Sequence, residues 1–95
     1  MSITPHNILN HELIGLRAKV VKSKHPGYVG IEGLVVYETM KTIKIMSDEG
    51  EIKTLPKDCC TFRFKLPSGI IVEVEGPYLV GRPEDRAKRV TKKRW

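Results

Sequence analysis

The sequence predicts a mostly β protein: a small antiparallel barrel of about six strands, with a short helix at each end. The chain has 95 residues, the size of one small domain. In its middle part, short segments alternate apolar and polar residues, and turn-forming residues separate them at intervals of roughly 8–12 residues. This spacing is typical of an antiparallel barrel and not of a βαβ sheet. We expect one domain over residues 1–95, with a helix at 4–14, the barrel at 16–81, and a C-terminal helix and basic tail at 83–95.

The N-terminal segment, residues 4–14, is predicted to form a short helix. Thr4 can cap it, and Pro5 suits the first turn because its missing N–H would be unpaired there. Gly15 supplies the stop. A helix of about three turns is marginal alone, so its apolar face must pack on the barrel or on another protein. Both alternatives stay open, and the candidate contacts to a protein partner are Ile8, Leu9 and Leu13.

After Gly15, six segments alternate apolar and polar residues with a period of two, as strands do. In "TFRFKL", Phe62 and Phe64 alternate with Arg63 and Lys65, so we expect the aromatic pair in the core and the cations outside. Turn signals such as "SDEG", "PKD" and "LPSG" separate the segments. The predicted strands are "LRAKVV" (16–21), "IEGLVVYE" (31–38), "TIKIMS" (42–47), "EIKTLP" (51–56), "TFRFKL" (61–66) and "IIVEVE" (70–75).

Three glycines, Gly27, Gly30 and Gly33, fall around the start of the second predicted strand, although glycine weakens strands. We expect Gly33 where the barrel backbone bends sharply or where another backbone approaches closely. Gly27 and Gly30 belong to the loop and the strand start. A phosphate-binding loop has similar glycines but needs a following helix, and none is predicted here. Gly15, Gly30 and Gly33 are therefore interpreted as structural.

The net charge of +6 is concentrated in two parts of the chain. Residues 82–95 contain seven Lys or Arg and two acids, and a second basic run without acids begins on the first predicted strand. Such clustering suggests a polyanion partner, while the alternative is a pair of solvated faces. Few aromatic residues are available, so RNA would be held through backbone charge and shape. The candidate RNA-binding residues are Arg17, Lys19, Lys22, Lys24, His25, Arg82, Arg86, Lys88, Arg89, Lys92 and Lys93.

The sequence shows no set of residues that would make this chain an enzyme alone. His6 and His11 do not share a helix face well, and His25 precedes a proline in a loop. The adjacent Cys59 and Cys60 suit neither a disulfide with each other nor a zinc site, so we interpret them as buried small hydrophobes in a reducing compartment. No apolar run reaches the roughly 18 residues of a membrane span and no signal peptide is evident, so we expect a cytoplasmic protein without a bound cofactor or metal.

Three motifs together resemble ribonuclease P protein component 1 of archaea. They are "HELIGLRAKVVKSKHPGYVGIEGLVV", the following "ET" and the closing "VGRPEDRAKR", and the match runs from about His6 to Arg89. The resemblance implies an Sm-like, SH3-like barrel in a non-catalytic subunit. In that particle the ribonuclease P RNA, with Mg²⁺, removes the 5′ leader from precursor tRNA, which this subunit would touch only indirectly. The implied protein partners are the zinc-ribbon component 4, components 2 and 3, and a kink-turn-binding ribosomal-type protein.

Two other functions are compatible with parts of the pattern. An Sm- or SH3-like module that binds ribosomal RNA in the translation machinery would share the barrel, the charge and the glycines, and only the three motifs argue against it. The RNA and proteins that co-purify with the chain would separate the two. A purely protein-binding adaptor is disfavoured by the clustered basic ends.

Overall fold

The computed structural model describes Ile8 and residues 12–81, and it confirms the six predicted strands. Each strand lies within two residues of a predicted segment at both ends. Between residues 12 and 81, helical structure is limited to three short 3-10 turns: Pro26–Tyr28, Lys57–Cys59 and Gly76–Leu79. Of the predicted helix at 4–14, the structure describes Ile8 and residues 12–14, and residues 12–14 are not helical, so the predicted end of this helix is wrong. The predicted helix at 83–95 lies outside the described residues. The strands are β1 (Arg17–Ser23), β2 (Glu32–Glu38), β3 (Thr42–Met46), β4 (Ile52–Pro56), β5 (Cys60–Lys65) and β6 (Ile71–Glu75).

The strands form one antiparallel sheet in the order β4-β3-β2-β1-β5-β6. Apolar side chains from all six strands meet in a single buried cluster, so the sheet is curved around its inner face. Phe62 and Phe64 stack inside it with ring centroids 5.8 Å apart, and neither is exposed to solvent. The alternation of "TFRFKL" therefore has its predicted effect: rings inside and cations outside. Among the described residues, no helix is long and apolar enough to cross a membrane.

The N-terminal segment contributes to this core, which corrects one interpretation of its apolar face. Ile8 and Leu13 are both buried in the barrel's own cluster. They are not available as surface contacts, so the structure favours packing on the barrel over packing on a partner. Leu9 lies outside the described residues. Gly15 and Gly30 both adopt a φ near +90°, a conformation that glycine adopts without strain.

Two β-bulges bend the sheet, each at the second residue of a Val-Val pair. The pairing of β1 with β5 shifts register between Val20 and Lys22, and that of β2 with β3 shifts between Val35 and Tyr37. A bulge inserts one extra residue, bends the strand and changes which face the following side chains occupy. Of the two roles considered for Gly33, the sharp bend is therefore supplied by the bulges instead.

Gly33 serves the second role considered for it, a close approach of two backbones. A Cβ atom built on Gly33 would overlap the carbonyl oxygen of Met46 on β3. Its φ is not in the positive range, so the lack of a side chain matters here and unusual backbone freedom does not. Gly76 is a second such position, because a Cβ there would overlap the carbonyl oxygens of Lys57 and Cys60. This contact brings the turn at 76–79 against the turn at 57–59.

A buried ion pair joins three parts of the chain. The Lys57 ammonium, with a fully buried side chain, donates hydrogen bonds to Glu38 Oε2 and to the Thr39 carbonyl, both at 2.7 Å. Glu38 Oε1 in turn accepts a hydrogen bond from the backbone N–H of Leu13 at 3.1 Å. The entry segment, the end of β2 and the turn after β4 are therefore held at one point. Buried charges are tolerated when they are paired and hydrogen-bonded in this way.

Candidate nucleic-acid interface

Five cations lie on the outer surface of β1 and β5, and we call this set the basic face: Arg17, Lys19, Lys22, Arg63 and Lys65. The register places Arg17 opposite Lys65, and Lys19 opposite Arg63. Strict alternation would have turned Lys22 to the side of Ala18 and Val20, which is buried. The bulge at Val21 brings Lys22 instead beside Thr61 on the outer surface.

The cations of the basic face differ in whether they form ion pairs with carboxylates of the protein. The Arg17 guanidinium binds both carboxylate oxygens of Asp48, at 3.1 and 3.0 Å, and lies 4.0 Å from Glu32. This hydrogen-bonded guanidinium holds the pKa of Asp48 below its usual value. Arg63 pairs with Glu73 at 3.0 Å. Lys19, Lys22 and Lys65 form no ion pair with any residue between 12 and 81, so a polyanion can reach their ammonium groups without displacing a carboxylate.

Lys24 and His25 continue from the end of β1, where both side chains are exposed. The Lys24 N–H donates to the Cys59 carbonyl at 3.0 Å, which ties this end of the strand to the turn before β5. His25 precedes the turn at Pro26–Tyr28, and its ring meets the Tyr28 ring edge-on at 5.6 Å. The structure thus keeps five predicted residues, Arg17 to His25, along one strand and its loop. The candidates from Arg82 to Lys93 lie outside the described residues.

A cleft of about 310 Å³ opens where β1 and β6 end and β5 begins. Its two lysines, Lys22 and Lys24, are predicted RNA contacts, but the rest of its lining is not predicted, because those residues come from separate turns and strands. No pattern in the sequence brings them together. The lining residues are Lys22, Ser23, Lys24, Asp58, Cys59, Cys60, Thr61, Glu75 and Pro77.

The two cysteines that line this cleft are free thiols. Cys60 is buried as predicted, and burial raises the pKa of its thiol to about 11. Cys59 is only half-buried, so its description as a buried hydrophobe was partly wrong. Their Sγ atoms lie 3.8 Å apart. In the part of the chain that the structure describes, no three His, Cys, Asp or Glu side chains are grouped to hold a metal ion.

The outer surface of β2, β3 and β4 has a different character, which the sequence analysis did not identify. Leu34, Met46 and Ile52 occupy one row across these strands, and we call them the apolar row. Leu34 is 39% exposed and Ile52 is 57% exposed. Tyr37 is exposed beside them, with the Lys44 ammonium 5.7 Å from its ring centre. The outer surface is therefore divided into a basic half and a more apolar half.

Comparisons with known proteins find relatives along nearly the whole chain. The family model described as ribonuclease P/MRP, subunit p29, matches residues 6–89. A ribonuclease P protein component 1 from Thermofilum pendens is 56% identical over 89 residues, which are 94% of this chain and 95% of the relative. One from Methanocaldococcus jannaschii is 48% identical over 90 residues, which are 95% and 94% of the two chains.

A solved structure supports the same relationship at the level of the fold. It is Mth11, described as a homologue of the human RNase P protein Rpp29, with a TM-score of 0.60 and 46% sequence identity to this chain. The match covers 80% of this chain and 97% of Mth11.

Proposed function

The chain belongs to the ribonuclease P/MRP subunit p29 family, and we propose that its basic face binds phosphates of the ribonuclease P RNA. The chain is a protein subunit of a ribonucleoprotein enzyme in which the RNA is catalytic. The observation that carries the proposed binding mode is the outward row of lysines on β1 and β5 that have no carboxylate partner among the described residues. The ribosomal-RNA alternative has no support from the comparisons.

Phosphate contacts of this kind position an RNA but do not read its bases. No aromatic side chain belongs to the basic face as defined above, so base stacking does not contribute there. Each ammonium that meets a phosphate releases condensed counterions, and the affinity falls as salt rises, with a log–log slope of roughly 0.7–0.9 per contact. The number of lysines that contact phosphate therefore predicts how steeply the RNA affinity falls with salt concentration.

The test compares two double variants in binding titrations at several salt concentrations. Lys19→Gln with Lys22→Gln removes two cations of the basic face, and Lys41→Gln with Lys53→Gln removes two cations elsewhere on the barrel. We expect the first pair to lower the salt slope by about 1.4–1.8 and the second to leave it unchanged. An unchanged slope in both variants would assign RNA binding to another surface.

The C-terminal cations are a second proposed RNA contact, and they are tested separately. Changing Lys88, Arg89, Lys92 and Lys93 together to Ala should flatten the salt slope by about 2–3. Discrimination between ribonuclease P RNA and a structured competitor RNA should change much less. Loss of a protein partner with an unchanged slope would assign this segment to subunit contact instead.

We also propose that the apolar row contacts a protein subunit of the particle, and we take the zinc-ribbon component 4 as its partner. With Ile8 and Leu13 buried, the apolar row is a better candidate than the N-terminal segment. Ile52→Lys should abolish co-purification with component 4, whereas Ile71→Lys, at an equally exposed isoleucine on β6, should not. Retention of component 4 by Ile52→Lys would rule out this surface.

The remaining parts of the proposal concern the particle as a whole. Components 2 and 3 and a kink-turn-binding protein complete it, Mg²⁺ serves the RNA, precursor tRNA is reached through the RNA, and the particle works in the cytoplasm. The purified chain with Mg²⁺ should leave the 5′ leader of precursor tRNA intact. Site-specific leader removal that survives nuclease treatment of the protein would contradict a non-catalytic role.

A further inference from the structure

We propose that the cleft at the ends of β1, β5 and β6 holds one unpaired nucleotide of the bound RNA, with its phosphate on Lys22 and Lys24. This inference rests on the proposed RNA-binding function and adds a base-holding site to it. The cleft adjoins the basic face through Lys22, so a strand that follows the lysines of β1 arrives at its opening.

The walls of the cleft are held in place by backbone contacts within the fold. Gly76 allows the turn after β6 to contact the turn before β5, because any side chain there would collide with backbone carbonyls. The hydrogen bond from Lys24 N–H to the Cys59 carbonyl fixes the third wall. Its volume of about 310 Å³ lies at the lower end of the range for small-molecule pockets, roughly 300–1,000 Å³, which is the size of a single nucleoside unit and too small to contain an RNA duplex.

The charges in the cleft are arranged for a ligand of mixed character. Lys22 and Lys24 line it together with Asp58 and Glu75, yet none of these four forms an ion pair with another described residue. Ammonium groups suit a phosphate, and carboxylates accept hydrogen bonds from the amino groups of bases. A nucleotide offers both groups on opposite sides of one sugar.

The remaining lining residues complete the match. Cys60, Thr61 and Pro77 also line the cleft, and the first and last of them offer apolar surface on which the face of a nucleobase can lie. Protein recognition of RNA bases depends on unpaired nucleotides, whose edges and faces are accessible. A base that carries an amino group, such as adenine, cytosine or guanine, is the class that the two carboxylates select.

The first test uses Cys59 as a reporter in the wild-type chain. With ribonuclease P RNA at about ten times its dissociation constant, alkylation of Cys59 by N-ethylmaleimide should slow about tenfold, because the Cys59 thiol reacts only while the cleft is empty. A fully paired RNA duplex should leave the rate nearly unchanged. Equal protection by the duplex or by component 4 without RNA would overturn the proposal, because in neither case is the occupant an unpaired nucleotide.

The second test fills the cleft. Thr61→Leu adds apolar volume inside it, and Thr54→Leu makes the same change on the exposed surface of β4. We expect Thr61→Leu to weaken RNA binding about tenfold with an unchanged salt slope, as for the loss of one held base, and Thr54→Leu to have no effect. Matching unfolding midpoints would show that both variants fold.

The two proposals fail in distinguishable ways. If wild type binds ribonuclease P RNA with a salt-dependent affinity and the two threonine variants bind alike, the cleft proposal is wrong and the basic face stands. If wild type shows no affinity for the RNA, the proposed function fails and Cys59 remains unprotected.

Discussion

Removing the buried ammonium of Lys57 should destabilise the barrel more than any other single charge change between residues 12 and 81. Lys57→Met keeps most of the side-chain length but leaves the Glu38 carboxylate, only 8% exposed, without its 2.7 Å ammonium partner. Breaking a buried ion pair from one side typically costs about 3–5 kcal/mol. Since small domains have total stabilities of roughly 5–15 kcal/mol, the loss is a large fraction of what holds this one together.

The measurement is urea unfolding followed by far-ultraviolet circular dichroism, with Lys53→Met as the matched control. Lys53 lies 3.7 Å from Glu51 with both side chains more than half exposed, so its loss should change the free energy of unfolding by less than about 1 kcal/mol. The double variant Glu38→Leu with Lys57→Met should recover part of the loss, because no unpaired charge remains. A loss below about 1 kcal/mol for Lys57→Met would refute the reasoning.

Three further predictions concern single sites. Gly33→Ala should cost about 1–3 kcal/mol of stability through overlap with a neighbouring carbonyl, whereas Gly27→Ala, with open space around it, should cost little; urea melts of both decide this. Because the pKa of Asp48 is lowered by Arg17, the stability advantage of wild type over Asp48→Asn should be present above pH 3.8 and disappear as the pH falls further. Because the pKa of Cys60 is raised from 9.0 to about 11, wild-type stability should fall between pH 9 and pH 11 relative to Cys60→Ala, as only the unfolded thiol ionises there.

The strands could be predicted because alternation of apolar and polar residues is a local property that the sheet preserves. The bulges were missed, although a signal existed: Val20-Val21 and Val35-Val36 each double an apolar residue in an otherwise alternating strand. A doubled residue is consistent with a bulge but equally with a strand buried on both faces. The pattern alone could not decide between them.

The candidate site was predicted less completely, because its partners are distant in sequence. Asp48 neutralises Arg17 across 31 positions, and nothing in the local pattern around either residue announces the pair. Lys57 stands in the turn signal "PKD" and resembles any solvated lysine, yet its side chain is fully buried. The clustering of charge in the sequence identifies the candidate cations, and only the fold shows which of them already pair with a carboxylate of the protein.

The position of β1 in the sheet determines when the basic face is complete during synthesis. β1 is an early strand, but one of its two neighbours, β5, is synthesised nearly half the chain later. Only then can Arg17 on β1 take its place opposite Lys65 on β5. The basic face spans both strands, so it does not exist on a nascent chain that stops after β4. Long-range pairing of this kind forms late. We therefore expect RNA capture to follow completion of the barrel, and chains truncated before β5 to be unable to occupy the particle.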